Sequence, residues 1–248
     1  MSKLQTKAFQ YDSWLSQYFE SAVYRLNCGN IDDSVISEFY EITRNSAFIY
    51  AKVASDEVIK TAKLEELGFR LVETNIQLEK ILIDSQTSGC SLLNASESDN
   101  CRVRFAEESD KEDVCLIAAE SFIQSRFFKD PNISPEIAKK VKSGWAENYF
   151  SGKRGDYMVV ACCHEKVSGF MQLIRSGENL IIDLVAVDKV CRGKSLGRKM
   201  INFAENKIEN ISTIKVGTQL CNTGSLNFYQ KCGFIVTGGS NVFHYFSK

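Results

Sequence analysis

Only two prolines, Pro131 and Pro135, and two histidines, His164 and His244, occur among 248 residues. So few histidines leave little with which to build a histidine-based metal centre, and no CxxC pair stands in for them, so no metal is expected. Long apolar runs are missing too. No window approaches the ~18 apolar residues of a membrane span, and the opening MSKLQTKAFQYDSW lacks the apolar heart of a secretory leader. A cytoplasmic protein with no membrane partner is expected. Nor is there a surplus of either charge: 30 Lys plus Arg stand against 31 Asp plus Glu, a net of −1, with no dense basic block. This disfavours a polyphosphate backbone as the main partner, so no nucleic acid is expected, while a local basic pocket stays open. The nine cysteines, odd in number and without metal-ligand spacing, read as reduced packing thiols.

What is present is an ordinary globular composition, 44% apolar, long enough for one large domain or two small ones. The stretch Asp84 to Asn100, DSQTSGCSLLNASESDN, has the Ser, Asn, Asp and Gly content of a linker. It divides the chain into an amino-terminal unit (1–84), a linker (85–101) and a larger unit (102–248).

The larger unit begins with a strand at Arg102 to Ala106, then a helix capped by Ser109 or Asp110. A loop carrying both prolines precedes a second helix through Val141, Trp145 and Tyr149. Three strands follow, Tyr157 to His164, Val167 to Ile174 and Asn179 to Val187. The turns between them, at Glu165-Lys166 and Ser176-Gly177-Glu178, are short enough to require an antiparallel meander. A loop, an amphipathic helix from Leu196, a fifth strand (TIKVGTQL), a helix (GSLNFYQKC) and a last strand pair within Phe234 to Phe246 complete the pattern. Phe48 to Lys80 repeats Ile214 to Phe246 in outline, each running strand, polar loop, helix, Gly-Phe, strand. The amino-terminal unit therefore reads as a degenerate copy of part of the larger one, without its basic turn.

That basic turn, LVAVDKVCRGKSLGRKM, carries the chemistry. A strand runs out, Arg192, Gly193, Lys194 and Ser195 turn the chain, and a helix starts at Leu196 and Gly197. The first amides of such a helix point outward without partners, and its dipole favours a pyrophosphate there. Gly193 and Gly197 allow close approach, and Arg192, Lys194 and Arg198 supply counter-charge. The spacing fits neither a dinucleotide-binding nor a Walker fingerprint.

The order of these pieces, with Asn222 ahead of a helix carrying Phe228-Tyr229 and closing at Gly233-Phe234, resembles the GCN5-related N-acetyltransferase (GNAT) superfamily over Arg102 to Lys248. The resemblance implies an α/β (α+β) fold with a mixed, mostly antiparallel sheet flanked by helices, and a smaller α/β amino-terminal unit resembling a partial GNAT. Its motif of Gln or Arg, two residues, Gly, one residue, Gly or Ala falls on Arg192 to Gly197, with Ser195 where glycine is expected. It implies acetyl-CoA or another acyl-CoA as co-substrate, its pyrophosphate on Arg192, Gly193, Lys194, Ser195, Leu196 and Gly197. The pantetheine would lie along Leu184, Val185, Ala186 and Val187, with a polar contact from Asn222 and Tyr229 as the acid toward the departing thiolate. No general base announces itself; Asp183 and Gln219 are candidates to orient a water.

The pieces LEELGFRLVE, AAESFIQSRF, SGWAEN and VGTQLCNTGSLNFYQKCGF are similar to those of bacterial dTDP-amino-sugar N-acyltransferases. That likeness implies a dTDP-linked amino sugar as acceptor, shaped by Ser125, Arg126, Phe127, Trp145 and Asn148, and a family that tends to form homodimers. Two alternatives stay open: a GNAT enzyme acting on another amine (protein, polyamine or aminoglycoside), and a non-catalytic acyl-CoA-binding module.

Overall fold

The computed structural model describes residues 8–82 and 101–247. The expected linker at Asp84 to Asn100 lies outside the described residues. Ten strands form one sheet, with β1 (Phe9–Tyr11), β2 (Ala22–Leu26), β3 (Ala47–Ala54) and β4 (Arg70–Ile81) from the amino-terminal stretch. After it come β5 (Cys101–Phe105), β6 (Tyr157–Cys163), β7 (Lys166–Ser176), β8 (Asn179–Val187), β9 (Thr213–Gln219) and β10 (Ile235–Phe246). Their spatial order is β1-β2-β3-β10-β4-β9-β8-β7-β6-β5.

The expected meander is there: β6, β7 and β8 pair antiparallel. The first turn falls on His164-Glu165, one residue earlier than expected, and both take positive φ (51° and 65°). Two residues of that hand match the twist of the flanking strands, which ordinary turns would splay. The expected closing strand pair is instead the single strand β10, antiparallel to β3 on one side and to β4 on the other. Gly238-Gly239 run through the strand, with a register shift between Val236 and Gly238 absorbing the irregularity.

Helices α1 (Ser13–Ser16), α2 (Asp33–Ile42) and α3 (Val58–Glu66) pack on the amino-terminal strands. They are followed in the chain by α4 (Lys111–Ser121), α5 (Arg126–Lys129), α6 (Pro135–Phe150), α7 (Leu196–Lys207) and α8 (Thr223–Lys231). The outlined repeat is visible as β3-α3-β4 and β9-α8-β10, each with a positive-φ glycine at the helix end, Gly68 (86°) and Gly233 (89°). The last strand of each repeat pairs with the first strand of the other, β4 with β9 and β10 with β3. A buried cluster spans both stretches: Leu15, Val23 and Phe48 pack with Phe127, Ile133, Ala138 and Val141. Gly144 on α6 lies so close to Tyr18 that a Cβ would sit 2.0 Å from its hydroxyl.

The cysteine expectation is corrected at one pair. Cys101, which opens β5 instead of closing the linker, is disulfide-bonded to Cys163, its register partner on β6, with Cα atoms 4.2 Å apart. A sequence separation of 62 residues carried no sign of it. Cys28, Cys115, Cys162, Cys191, Cys221 and Cys232 are free thiols, and Cys90 lies outside the described residues.

Candidate active site

Parallel strands β8 and β9 stay paired only from Asn179↔Thr213 to Ile182↔Val216. Beyond that point they part. The cause lies on the other edge of β8: Gln172 opposes Leu184 and Leu173 opposes Ile182, which leaves Asp183 as an extra, unopposed residue. An extra residue reverses the facing of everything after it. Leu180 and Ile182 accordingly belong to the core beneath α7 and α8, whereas Leu184 and Ala186 belong to the core beneath α4 and α6. From Asp183 to Val187 the edge of β8 toward β9 has no ladder partner.

Two cavities meet along this edge. One, of about 440 Å³, is walled by Leu184 to Val187, Arg192, Asn222, Tyr229, Gln219, Phe122 and Lys142. The other, of about 480 Å³, is walled by Val185 to Val187, Arg192, Gly193, Ser195, Leu196, Gly197, Phe228 and Tyr229. All the residues expected to hold an acyl-CoA thus gather in one place except Lys194, which is exposed and lines neither.

The second cavity fits a pyrophosphate. Asp32, Ser134 and Asn222 cap α2, α6 and α8 with side-chain oxygens, but α7 has no side-chain cap. Among the described residues no acceptor takes the amides of Gly193 through Arg198. Gly193 (φ 83°) and Ser195 (φ 59°) occupy the left-handed region, so serine stands where glycine is the usual solution and turns successive N–H groups outward. Arg192 Nε donates to the Val187 carbonyl (3.1 Å), tying the loop to the strand end. Asn222 performs the capping role, accepting from the Ser225 amide (3.2 Å), while it also faces the first cavity.

Tyr229 is 3% exposed, packed against Phe228 and Phe234. Burial pushes its phenol above the ordinary value, so the proton stays on at neutral pH. Both cavities touch it, and among the described residues its hydroxyl has no hydrogen-bond partner. It is a donor aimed at the junction. Tyr229→Phe is expected to lower kcat about tenfold to a hundredfold, with coenzyme A affinity unchanged within twofold. Stopped-flow thiol release and calorimetry separate the two effects.

Asp183, a candidate to orient water, is committed elsewhere. Its carboxylate accepts from Trp145 Nε1 (2.9 Å), Arg154 Nε and Nη2 (both 2.7 Å) and Gln172 Nε2 (3.3 Å). Four donors leave it a fixed ion pair that builds a wall. Behind that wall is a third cleft of about 620 Å³, lined by Trp14, Arg25, Tyr50, Lys52, Arg126, Trp145, Asn148, Lys153 and Arg154, with Asp12 and Leu15. Arg126, Trp145 and Asn148 were expected on the acceptor side and line this cleft. Ser125 and Phe127 are buried and line none of the three, Phe127 lying in the core under the Arg126 guanidinium. The amino-terminal contributors Trp14, Arg25, Tyr50 and Lys52 were missed, because nothing in their local sequence says that β2 and β3 face α6. Lys142 was missed despite a usable signal: Ala138, Lys142 and Trp145 fall at i, i+4 and i+7, one face of a helix.

Residues 120–234 match the acetyltransferase (GNAT) family. The chain carries a GNAT acetyltransferase domain. That family uses acyl-CoA as co-substrate, and the matched residues include β8, the α7 turn and Tyr229. The chain is 30% identical over 140 residues to the spore coat polysaccharide biosynthesis protein SpsD of Bacillus subtilis, matching 56% of this chain but only 48% of that protein. It is 24% identical over 189 residues to the dTDP-fucosamine acetyltransferase of Escherichia coli O6:H1, covering 75% of each. The same fold occurs in a conserved protein of unknown function from Staphylococcus epidermidis (TM-score 0.65, 14% identity, 100% of this chain and 94% of that one). It occurs too in a tandem GNAT protein from the clavulanic acid biosynthesis pathway (TM-score 0.62, 10% identity, 92% and 76%). The expectation of a GNAT fold with a smaller GNAT-like amino-terminal part is met. No helix of the described residues is long and apolar enough to cross a membrane.

Proposed function

We propose that this protein is an acyl-CoA-dependent N-acyltransferase whose acceptor is the amine of a dTDP-linked amino-dideoxy sugar, serving polysaccharide synthesis in the cytoplasm. The observation that carries the transferase reading is the meeting of the two cavities at Val185 to Val187 and Tyr229. A thioester laid along the free edge of β8, its phosphates on the α7 amides, brings its carbonyl to the mouth of the other cavity. Backbone N–H groups of the unpaired edge offer hydrogen bonds to the oxyanion of the tetrahedral intermediate. Tyr229 offers its proton to the leaving sulfur. Holding both reactants in one cleft converts a bimolecular encounter into an oriented one.

The sugar-nucleotide reading rests on the third cleft and on the two relatives. A nucleoside diphosphate needs cations for phosphate and flat rings for the base. Arg25, Lys52, Arg126 and Lys153 surround the opening, with Trp14, Tyr50 and Trp145 beside them. Among the described residues Arg25, Lys52 and Lys153 have no carboxylate within 4 Å. Burial lowers the Lys52 ammonium, Glu73 offsets part of this, and Arg126 and Arg25 lower it further, as expected where cations crowd.

Release of free thiol from acetyl-CoA and 3-hydroxybutanoyl-CoA, measured with dTDP-linked 3-amino and 4-amino dideoxyhexoses, tests this. A dTDP sugar is expected to raise release at least a hundredfold above hydrolysis. If a polyamine, aminoglycoside or peptide amine does so and no dTDP sugar does, the acceptor assignment is wrong.

A further inference from the structure

Lys142 is buried on α6, 7% exposed, with its Nζ among rings: 4.6 Å from the Trp145 centroid, 4.8 Å from Phe122 and 5.7 Å from Phe127. Its side chain lines the cavity that holds Tyr229 and the free edge of β8. Among the described residues it donates no hydrogen bond and has no carboxylate within 4 Å. A lysine buried for structural reasons is normally paired or snorkels to water. This one is unpaired, and it opens onto the cavity in which an acceptor amine would meet the thioester.

Charged groups of both signs surround it. Glu73 on β4 and Asp183 on β8 favour its charged form, and Arg126 on α5 and Arg154 after α6 oppose it. Both carboxylates are already engaged, Glu73 by the Arg126 amide (2.8 Å) and Asp183 by Arg154. Desolvation therefore decides, and the ammonium is lowered to about 8. A pKa of about 8 leaves about a tenth of the lysine neutral at pH 7 and about a quarter at pH 7.5, enough to serve as a base.

We propose that Lys142 is the general base of the acyl transfer, taking the proton that the acceptor ammonium must lose before it attacks. This rests on the acyltransferase reading above. The neutral lysine accepts one proton from the acceptor ammonium, and the freed lone pair attacks the thioester carbonyl to form the new C–N bond. As the C–S bond breaks, Tyr229 gives its proton to the departing sulfur, and the second N–H proton lost by the attacking nitrogen replaces it on the Tyr229 oxygen, so thiol and amide leave with the tyrosine restored. The lysine ammonium then releases its proton to water.

Two measurements test it. In competitive labelling with acetic anhydride read by mass spectrometry, the reactivity of Lys142 in the full-length protein should titrate with a midpoint near 8. A midpoint near 10.4, the ordinary lysine value, overturns the proposal. In turnover at saturating substrates, Lys142→Met should lower kcat at pH 7.5 about a hundredfold while leaving coenzyme A affinity within twofold. The wild-type rise of kcat with pH should level off above about 8, and in Lys142→Met it should continue upward. Lys142→Arg should stay as slow as Lys142→Met, because guanidinium cannot take a proton. Loss of threefold or less in Lys142→Met, or wild-type rate in Lys142→Arg, removes Lys142 as base while the acyltransferase stands. A wild-type protein that acylates no amine removes both.

Discussion

Gly197→Asp is expected to weaken coenzyme A binding about a hundredfold, about 2.7 kcal/mol. Two effects combine. A Cβ there meets the Phe228 ring at 2.9 Å, on the wall of the cavity that would hold the phosphates. A carboxylate then occupies the mouth of the α7 amides and competes with the pyrophosphate for the same N–H groups. The folded state should lose little, because an acidic residue in the first turn suits the helix dipole and the Phe228 ring can shift. Calorimetric titration with coenzyme A beside a melting curve separates the outcomes. Affinity within threefold of wild type would place the phosphates elsewhere.

Asp130→Ala is expected to cost about 3 kcal/mol of stability, lowering the melting temperature by about 6 to 12 °C at this chain length. Asp130 and His244 are each 1% exposed at the side chain and joined through Nδ1 at 2.7 Å. On the far side of the ring Nε2 meets Arg126 Nη1 at 3.1 Å. An arginine is always a donor, so Nε2 must accept, which fixes His244 as the neutral tautomer with its proton on Nδ1, donated to Asp130. Burial, with Arg126 acting in the same direction, depresses the imidazole to about 4. The unfolded chain takes a proton on His244 below about 6.5, whereas the folded protein refuses it until about 4. Stability should therefore be fully present above pH 6.5 and decline toward pH 4 by up to about 3 kcal/mol. Urea titrations at pH 7, 5.5 and 4.5 measure this. His244→Gln should flatten that slope, and an unchanged slope would contradict a neutral buried imidazole.

Much of the larger unit was legible because its signals are local. The β6 to β8 meander shows in short connections between apolar runs, and the α7 turn in Arg192, Gly193 and Gly197 just before an amphipathic helix. Tyr229 and Asn222 were legible only through family likeness, since a lone tyrosine on a helix looks like packing. What stayed hidden depends on pairing across distance. Gly238-Gly239 has the composition of a turn and becomes part of a strand because partners wait on both sides. Asp183 looks like one polar residue in an alternating strand; only its register against β7 shows that it is extra. The cysteine pair needed the β5 to β6 register, and Phe127 needed the docking of α5 to show that it is core rather than cleft.

The exchange of closing strands between the two repeats has a consequence for biogenesis. Twelve residues at the carboxyl end, Ile235–Phe246, fill the slot between β3 and β4, elements made more than 150 residues earlier. Until those residues have been made, β3 and β4 wait with their facing edges open. Loss of β10 would therefore leave both repeats incomplete rather than one.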